Sequence, residues 1–469
     1  MSATVPPPIV HSWPPVFAGE VFAVLGLGRN GLPAARALRA MGAIVTVWDD
    51  NPAARAEAAR EGLRVALPAH TASLRALILS PGIPHRLPTP HPQAAAITAR
   101  GVPIWSDVEA LFVAVRRAGS QARFVGITGT NGKSTTTALT AHILRSAGLL
   151  VEAGGNLGPA ALALPFLDNS GIYVLEMSSY MLERIASVRF NAAVMLNLSP
   201  DHLDRHGSFA DYATVKAGIF ARQKADDTAI IGIDDPVSSL IATQIAARPV
   251  PLVRISGEQK ADIYARDGVL QDQLGVIADL RSASALPGTH NAQNAAAAST
   301  IAIAMGVDRA AIGRALLDFP GMPHRQARIA DIDGICFIND SKATNADAAA
   351  RALACHAQVI WIAGGIAKSG GIDSLAPYFP RIAHALLIGQ AAEAFAATLT
   401  AHGVAHSVVD TLDRAVDEAL ARAKALHIPV VLLAPACASF DQFANYEARG
   451  EIFAAKVNQL AAASSGLNS

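Results

Sequence analysis

The segment Gly126-Ile-Thr-Gly-Thr-Asn-Gly-Lys-Ser-Thr135 combines glycines, hydroxyls and a lysine at the spacing of a phosphate-binding loop. It follows a short apolar run and precedes an Ala- and Leu-rich helical pattern. A strand, a glycine-rich turn and a helix in that order point backbone N–H groups at phosphate oxygens. Lys133 can then reach the β- and γ-phosphates of a nucleoside triphosphate, and the Ser134 hydroxyl can bind Mg²⁺. A strict loop of this kind has Gly where this chain has Ile127, so we predict a variant in which Gly129 makes the tight turn.

A second glycine-rich turn, Gly26-Leu-Gly-Arg-Asn-Gly31, follows the apolar run Val21–Leu25. Asp49 and Asp50 lie about 20 residues further on, where a carboxylate often accepts a hydrogen bond from a ribose hydroxyl. The pattern fits a dinucleotide, a uridine nucleotide or a simple strand-to-helix turn, because NAD and nucleotide sugars present similar pyrophosphates. We therefore expect nucleotide binding at this turn, with the nucleotide left open.

Polar clusters follow several other apolar runs. Glu176 ends one such run, where a carboxylate beside the phosphate loop would be placed as a metal ligand. The motif 201–206 (Asp-His-Leu-Asp-Arg-His) follows another run and suggests metal or phosphate contact. Further along, 339–345 (Asn-Asp-Ser-Lys-Ala-Thr-Asn) and 434–443 (Ala-Pro-Ala-Cys-Ala-Ser-Phe-Asp-Gln-Phe) are denser still. Hydroxyls, an amide and a lysine at strand ends are what a small anionic amino acid needs.

These clusters are set on strands and helices that alternate in three α/β blocks. The polar segment 115–123 predicts a linker between the first two blocks, and 319–323, with its prolines and glycine, predicts a hinge before the third. We therefore predict an α/β protein with a Rossmann-like N-terminal domain, a central P-loop domain with a mainly parallel sheet, and a Rossmann-like C-terminal domain. The predicted boundaries are a flexible extension and three domains, at 1–16, 17–116, 117–321 and 322–469.

Composition narrows the class of protein. The 469 residues carry 38 Lys and Arg against 38 Asp and Glu, and this balance gives no support to binding nucleic acid or a membrane surface. The three cysteines, Cys336, Cys355 and Cys437, are too scattered to imply a disulfide framework or a zinc site. The N-terminus lacks the basic and apolar regions of a signal peptide, and no apolar run is long enough to span a membrane. We expect a cytoplasmic protein.

Several motifs together resemble the Mur ligase superfamily. They are the variant phosphate loop, DHLDRH at 201–206, GTHNAQN at 288–294 and HR at 324–325, in that order along the chain. The motifs NDSKATN and PACASFDQF in the third block are similar to those of the branch that adds glutamate. The resemblance covers nearly the whole chain apart from its ends.

The resemblance implies a role for individual residues. Those implied as catalytic or metal-binding are Ser134 together with Lys133, Glu176, His202 and Lys216, the last carrying a carbamate beside the second of two Mg²⁺ ions. Those implied to bind ATP are Gly129, Thr130, Asn131, Gly132, Lys133, Ser134, Thr135, Asn294, Arg325 and Asp340. Those implied to bind a UDP-linked substrate are Gly28, Arg29, Asn30, Asp49, Asp50, Gly82 and Asn156. Those implied to bind D-glutamate are Lys342, Thr344, Lys368, Ser439 and Tyr446.

The resemblance also implies a reaction: ATP-dependent amide formation between UDP-N-acetylmuramoyl-L-alanine and D-glutamate through an acyl phosphate. We expect a monomer whose third block closes about the 319–323 hinge, because water would hydrolyse that intermediate. Side-chain types do not separate D- from L-glutamate, so a sister ligase that adds a different amino acid stays open. An NAD-dependent dehydrogenase and a P-loop ATPase are the remaining alternatives, although hydride transfer has no use for Lys133 and Ser134.

Overall fold

The computed structural model describes residues 13–156, 158–368 and 370–466. Most of the predicted N-terminal extension, residues 1–12, lies outside this part of the chain. The described residues form two compact units. The first comprises the chain up to Ser282 together with Asn291–Asp318, and the second comprises Ala283–His290 and the chain from Phe319 onward.

The first sheet of the first unit has the strand order β3-β2-β1-β4-β5, and its neighbouring strands are parallel. Its strands are β1 (Val21–Leu25), β2 (Ile44–Trp48), β3 (Arg64–Val65), β4 (Leu74–Leu79) and β5 (Ile104–Trp105). Its helices are α1 (Gly31–Ala40), α2 (Pro52–Arg60), α3 (Pro92–Ala99) and α4 (Asp107–Arg117). The central strand β1 is almost continuously buried, as expected for a parallel strand covered on both faces.

The second sheet of this unit has the order β14-β13-β12-β11-β10-β9-β6-β8-β7. Its strands are β6 (Arg123–Thr128), β7 (Val151–Gly155), β8 (Ile172–Glu176), β9 (Ala192–Met195), β10 (Thr228–Gly232), β11 (Leu252–Ser256), β12 (Ile263–Arg266), β13 (Val269–Asp272) and β14 (Gly275–Asp279). The helices are α5 (Lys133–Ser146), α6 (Ser179–Leu182), α7 (Leu203–His206), α8 (Phe209–Ala217), α9 (Pro236–Ala246), α10 (Thr289–Ala304) and α11 (Arg309–Leu317). Strands β6 to β12 pair in parallel, and β13 and β14 extend the edge as antiparallel strands.

The main sheet of the second unit has the order β15-β16-β21-β17-β19-β20, with β15 antiparallel to β16 and the remaining pairs parallel. Its strands are β15 (Ala327–Ile332), β16 (Ile335–Asn339), β17 (Val359–Gly364), β19 (Ile382–Ile388), β20 (His406–Val408) and β21 (Val430–Leu433). A small antiparallel pair joins β18 (Ile366–Ala367) to β22 (Cys437–Ala438). The helices are α12 (Ala346–Ala354), α13 (Ala392–Ala401), α14 (Leu412–Leu426) and α15 (Tyr446–Gly466).

Two buried carboxylates at the start of α4 connect the two sheets of the first unit. Asp107 accepts hydrogen bonds from the Asn30 side chain at 3.1 Å and from the Ala161 backbone N–H at 3.0 Å. Glu109 accepts from the backbone N–H groups of Ala186 at 2.7 Å and Ser187 at 2.9 Å. Because a buried carboxylate without partners is costly, these bonds hold the glycine-rich turn of the first sheet against loops of the second.

The predicted α/β class with mainly parallel sheets is confirmed. The predicted linker at 115–123 was too long at both ends. Residues up to Arg117 continue α4, where Val115 is buried, and Arg123 already belongs to β6. The predicted hinge coincides with the boundary between the two units at Asp318 and Phe319. The boundaries of three separate domains and the hinge motion stay predictions. Among the helices described, none has the length and apolar character needed to cross a bilayer.

Candidate active site

The phosphate loop connects β6 to the first turn of α5. Gly129 has φ +148° and Gly132 has φ +86°, conformations that favour glycine. Gly126 has a different role, because a Cβ there would lie 2.8 Å from the Phe190 ring. Backbone N–H groups in the loop are fixed by a neighbouring strand end: Thr130 N–H donates to the Asn197 carbonyl at 2.8 Å.

Lys133 is the first residue of α5, and its ammonium is drawn into the loop. It donates to the carbonyl oxygens of Gly129 at 2.9 Å and Thr130 at 2.8 Å. Ser134, the next residue of the helix, is buried. A cation and a hydroxyl therefore stand at the positive end of a helix dipole, which suits a polyphosphate bound to a metal ion.

Glu176 ends β8, which pairs in parallel with β6, so its carboxylate lies beside the phosphate loop. The carboxylate is buried, and its Oε1 accepts from the Asn156 amide at 2.7 Å. Its Oε2 is buried with no hydrogen-bond partner among the described residues. A buried carboxylate oxygen left in this state is a ready ligand for a hard cation.

The residues at this position therefore fit Mg²⁺. No group of three or more His, Cys, Asp or Glu side chains suited to a metal ion occurs in the part of the chain that the structure describes. Mg²⁺ takes one or two carboxylates and completes its shell with water and substrate phosphates, so the Glu176 carboxylate and a neighbouring hydroxyl suffice on the protein side. Ser134 and Glu176 would hold it.

Lys216 lies on α8 and is buried beneath the phosphate loop. Its Nζ donates to Gly129 O at 2.9 Å and to Thr128 Oγ1 at 3.2 Å. Burial, with the nearby charge of Lys133 as a smaller cause, lowers the pKa of Lys216 well below its ordinary value. These hydrogen bonds join Lys216 directly to the loop.

His202 is in the left-handed conformation at φ +52°. Its half-exposed ring packs on that of Tyr180, with 5.1 Å between the two ring centres.

The residues predicted to bind the UDP-linked substrate converge. A cavity of about 570 Å³ between strand ends of the first sheet is lined by Gly28, Arg29, Asn30, Asp49, Asp50, Gly82 and Asn156. Its lining is completed by Leu25, Gly26, Ser80, Pro81, Ile83, Pro84 and His91, of which His91 was not anticipated from the sequence. Because Asn156 also donates to Glu176, the cavity adjoins the candidate Mg²⁺ site.

The two adjacent carboxylates in this cavity have different roles. Asp49 is committed to the backbone: it accepts from the N–H groups of Leu27 at 2.6 Å and Asn51 at 2.8 Å. Asp50 is exposed and accepts from His91 Nε2 at 3.0 Å and Trp48 Nε1 at 3.1 Å. These hydrogen bonds, that of His91 first, lower the pKa of Asp50. Because Asp50 is the more exposed of the two, it is the carboxylate that a nucleoside bound in the cavity would reach.

Residues predicted to contact ATP occur in both units. Asn294, in the first unit, lies under the phosphate loop, where its Oδ1 accepts from Thr136 at 3.1 Å and would collide with a Cβ at Gly132. In the second unit, Asp340 accepts from Gln326 at 2.8 Å. Burial raises the Asp340 pKa to about 6, against the opposing effects of Gln326 and Arg325. Their contacts with adenine, phosphate and ribose stay predictions.

The residues predicted to bind D-glutamate follow strand ends of the second unit. Lys342 and Thr344 follow β16, Lys368 follows β18 and Ser439 follows β22. Tyr446 begins α15, and the Lys342 ammonium lies 3.9 Å from its ring centre. The three loops carry cationic and hydroxyl groups, which suit a dicarboxylate.

Arg449 holds these loops together and was missed in the sequence. It is fully buried and donates to Ser341 Oγ at 3.0 Å, Ser341 O at 2.9 Å, Cys437 O at 3.1 Å and Gly364 O at 3.4 Å. Burial lowers its pKa to about 10, which leaves it a cation at neutral pH. Ser341 follows β16, Gly364 ends β17 and Cys437 begins β22, so one guanidinium connects all three segments.

Comparison with known proteins places these features in a family. The chain matches the family models "Mur ligase middle domain" over residues 127–302 and "Mur ligase, glutamate ligase domain" over residues 324–437. It is 47% identical over 459 residues to a UDP-N-acetylmuramoylalanine--D-glutamate ligase of Caulobacter vibrioides, covering 95% of this chain and 97% of that protein. A protein of the same name from Rhizobium etli is 48% identical, with coverage of 93% and 94%.

Solved structures share the fold at low sequence identity. The UDP-N-acetylmuramate-alanine ligase MurC of Thermotoga maritima superposes with a TM-score of 0.57 at 17% identity, covering 93% of this chain and 99% of that one. A pseudomurein peptide ligase type C of Methanothermus fervidus gives 0.56 at 18% identity, covering 94% and 100%. These similarities support the three-domain α/β fold.

Proposed function

This chain belongs to the Mur ligase family, and we infer that it is the ligase that adds D-glutamate to UDP-N-acetylmuramoyl-L-alanine in peptidoglycan precursor synthesis. It uses ATP and needs Mg²⁺. The observation that carries this chemistry is the phosphate loop. It places the Lys133 ammonium and the Ser134 hydroxyl at the start of α5, and it follows β6, the strand next to the one that Glu176 ends. Catalysis then consists mainly of positioning and charge neutralisation.

The first step is phosphoryl transfer. A carboxylate oxygen of UDP-N-acetylmuramoyl-L-alanine attacks the γ-phosphorus of ATP, the bond to the β,γ-bridging oxygen breaks, and ADP leaves. Lys133 neutralises charge on the transferred group, and the N-terminus of α5 stabilises the remaining phosphates. When bound by Ser134 and Glu176, Mg²⁺ would supply further charge neutralisation on the phosphate oxygens.

The second step forms the amide. The amine of D-glutamate attacks the acyl carbon of the acyl phosphate, and a tetrahedral intermediate collapses as inorganic phosphate leaves. The nitrogen loses a proton in the process. Lys342, Lys368 and Ser439 would hold the two glutamate carboxylates, because ammonium and hydroxyl groups donate strong hydrogen bonds to anions. This leaves the amine free to react.

A second metal site, completed by a carbamate on Lys216 near His202, is a finer part of the proposal. It is supported by the burial of Lys216 and by its lowered pKa, because only an unprotonated amine can add to CO₂. We also propose that the enzyme acts as a monomer in the cytoplasm, on small-molecule substrates and without nucleic acid. The balanced charge supports the last point, since it offers no excess of cations for a nucleic acid.

Release of ADP tests the function directly. With ATP, Mg²⁺ and UDP-N-acetylmuramoyl-L-alanine, we expect ADP to form when D-glutamate is added and not when L-glutamate, meso-diaminopimelate or L-alanine replaces it. Omission of the UDP substrate should also abolish release. Dependence on a different amino acid would identify a sister ligase, and ADP release without any amino acid would indicate an ATPase.

The glutamate pocket gives a separate prediction. Ser439→Ala and Lys368→Ala should each raise the KM for D-glutamate about ten- to a hundred-fold, because each removes a hydrogen bond to a charged group. The KM for ATP should change little. Matched controls are Ser464→Ala and Lys456→Ala, since these residues pair with Asp333 and Asp417, which lie outside the loops that carry the predicted pocket residues. An equal rise in both constants would place the pocket elsewhere.

A further inference from the structure

The turn Ser80–Ile83 forms one wall of the substrate cavity, and a buried arginine holds it from behind. Arg184 follows α6 and is only 3% exposed. Its guanidinium donates to the carbonyl oxygens of Leu79 at 3.0 Å, Ser80 at 3.1 Å and Ile83 at 2.8 Å. A planar guanidinium can satisfy several carbonyl groups at once, which a lysine ammonium does with less geometric definition.

A second arginine holds a further carbonyl group of the turn. Arg205 Nη1 donates to Gly82 O at 3.0 Å, and its guanidinium lies 4.4 Å from the ring centre of Tyr180. Arg205 belongs to α7, three residues after His202. Both arginines are contributed by segments of the second sheet, whereas the turn belongs to the first.

The surroundings of Arg184 are suited to a permanent cation. Burial lowers its pKa to about 10, so it stays charged at neutral pH. The same cause lowers the pKa of His85 to about 4, which leaves that ring neutral. His85 Nδ1 therefore accepts from Arg184 Nε at 3.3 Å and does not compete as a second cation.

Movement of the turn would be transmitted to the glycine-rich loop opposite. Ser80 Oγ donates to Gly26 O at 2.7 Å, and a Cβ at Gly26 would lie 2.6 Å from Ile83 Cδ1. The two walls of the cavity therefore fit together closely. Without the hydrogen bonds from the two arginines, the turn would not be held in the position at which Ser80 and Ile83 contact Gly26.

We propose that Arg184 and Arg205 are positioning residues for the UDP-linked substrate, which hold the Ser80–Ile83 turn in its binding conformation and connect it to the segments that follow Glu176 and His202. The proposal rests on the proposed function, since it takes the cavity to be the site of UDP-N-acetylmuramoyl-L-alanine. Neither arginine touches the reacting atoms; each acts through the turn.

Calorimetry with UDP-N-acetylmuramoyl-L-alanine and, separately, with ADP tests the proposal. Arg184→Met keeps an unbranched side chain as far as the position of Nε and removes the hydrogen bonds to the three carbonyl groups and to His85. We expect its affinity for the UDP substrate to fall about ten- to a hundred-fold, with ADP affinity unchanged. Arg184→Lys should recover part of the loss. Arg205→Met, at a partly exposed position, should weaken the same affinity without affecting folding.

The matched control is Arg222→Met. Arg222 also donates to backbone carbonyl groups, those of Val188 at 2.8 Å and Ile185 at 3.3 Å, but these lie outside the cavity lining. The Arg222→Met protein should bind the UDP substrate with the affinity of the wild type. Unchanged affinity in Arg205→Met and in any folded Arg184→Met protein would overturn the proposal. A wild-type protein that does not bind the UDP substrate would instead contradict the proposed function itself, and with it the assignment of the cavity.

Discussion

Lys133→Ala is expected to abolish ligation, with turnover falling about 10³-fold or more, the usual scale for loss of a cation that stabilises a transferred phosphoryl group. The side chain lies in the phosphate loop and donates to Gly129 O and Thr130 O. Its loss removes both the charge opposite the γ-phosphate and two bonds that shape the loop. Formation of the D-glutamate adduct, followed by chromatography, measures the effect.

The fold should survive this substitution, because Lys133 is only partly buried and packs in no apolar core. Thermal unfolding monitored by circular dichroism checks that expectation. Lys224→Ala, at an exposed lysine of the same unit, serves as the control and should retain full activity. Near-wild-type product formation by a folded Lys133→Ala enzyme would contradict the assignment of the phosphate loop.

Lys216→Ala is expected to be nearly inactive and to regain part of its activity when formate or acetate is added. The reason is that the proposed carbamate is an anion in a buried site, which a small carboxylate can occupy after the side chain is shortened. The amine is held by Thr128 and Gly129, and burial lowers its pKa, so the neutral form that attacks CO₂ is accessible near neutral pH.

Two further measurements separate the carbamate from a simple structural lysine. Formate should leave the wild-type rate unchanged. Protein equilibrated with ¹³C-bicarbonate should show a carbamate carbon signal that Lys224→Ala retains and Lys216→Ala loses. Absence of that signal in the wild type, together with no rescue by any small carboxylate, would rule out the modification.

The sequence predicted the parts of the site that depend on local patterns. The phosphate loop can be predicted from the sequence because its glycines, lysine and serine must occur together between one strand and one helix. The cavity residues can be predicted for a related reason. Parallel strands end at one edge of a sheet, so Gly28, Asp50 and Gly82, which follow such strands, lie together there. Apolar runs at 334–339, 359–363, 385–388 and 430–434 predicted β16, β17, β19 and β21 of the third block, whereas β15, β18, β20 and β22 were not predicted.

Buried polar residues with distant partners were not predictable in this way. Arg184 contacts a turn about a hundred positions earlier in the chain, and Arg449 contacts Ser341 across a similar separation. The residues on either side in the sequence do not predict that either arginine is buried, since an isolated arginine is normally exposed. The distinct roles of Asp49 and Asp50 also required coordinates, because adjacent identical side chains carry no sequence signal for which one binds the backbone.

The buried Arg449 has a consequence for changing the amino acid that the enzyme accepts. A loop graft that shortens or lengthens the segment after β16 would withdraw Ser341 from the guanidinium and leave buried N–H donors of Arg449 without partners, at a cost of about 1–3 kcal/mol for each donor. Libraries confined to side chains such as Thr344 avoid this penalty but cannot move the backbone. A change of selectivity that needs a differently shaped pocket therefore requires the three strand-end loops to be replaced together, or Arg449 to be exchanged for an apolar residue at the same time.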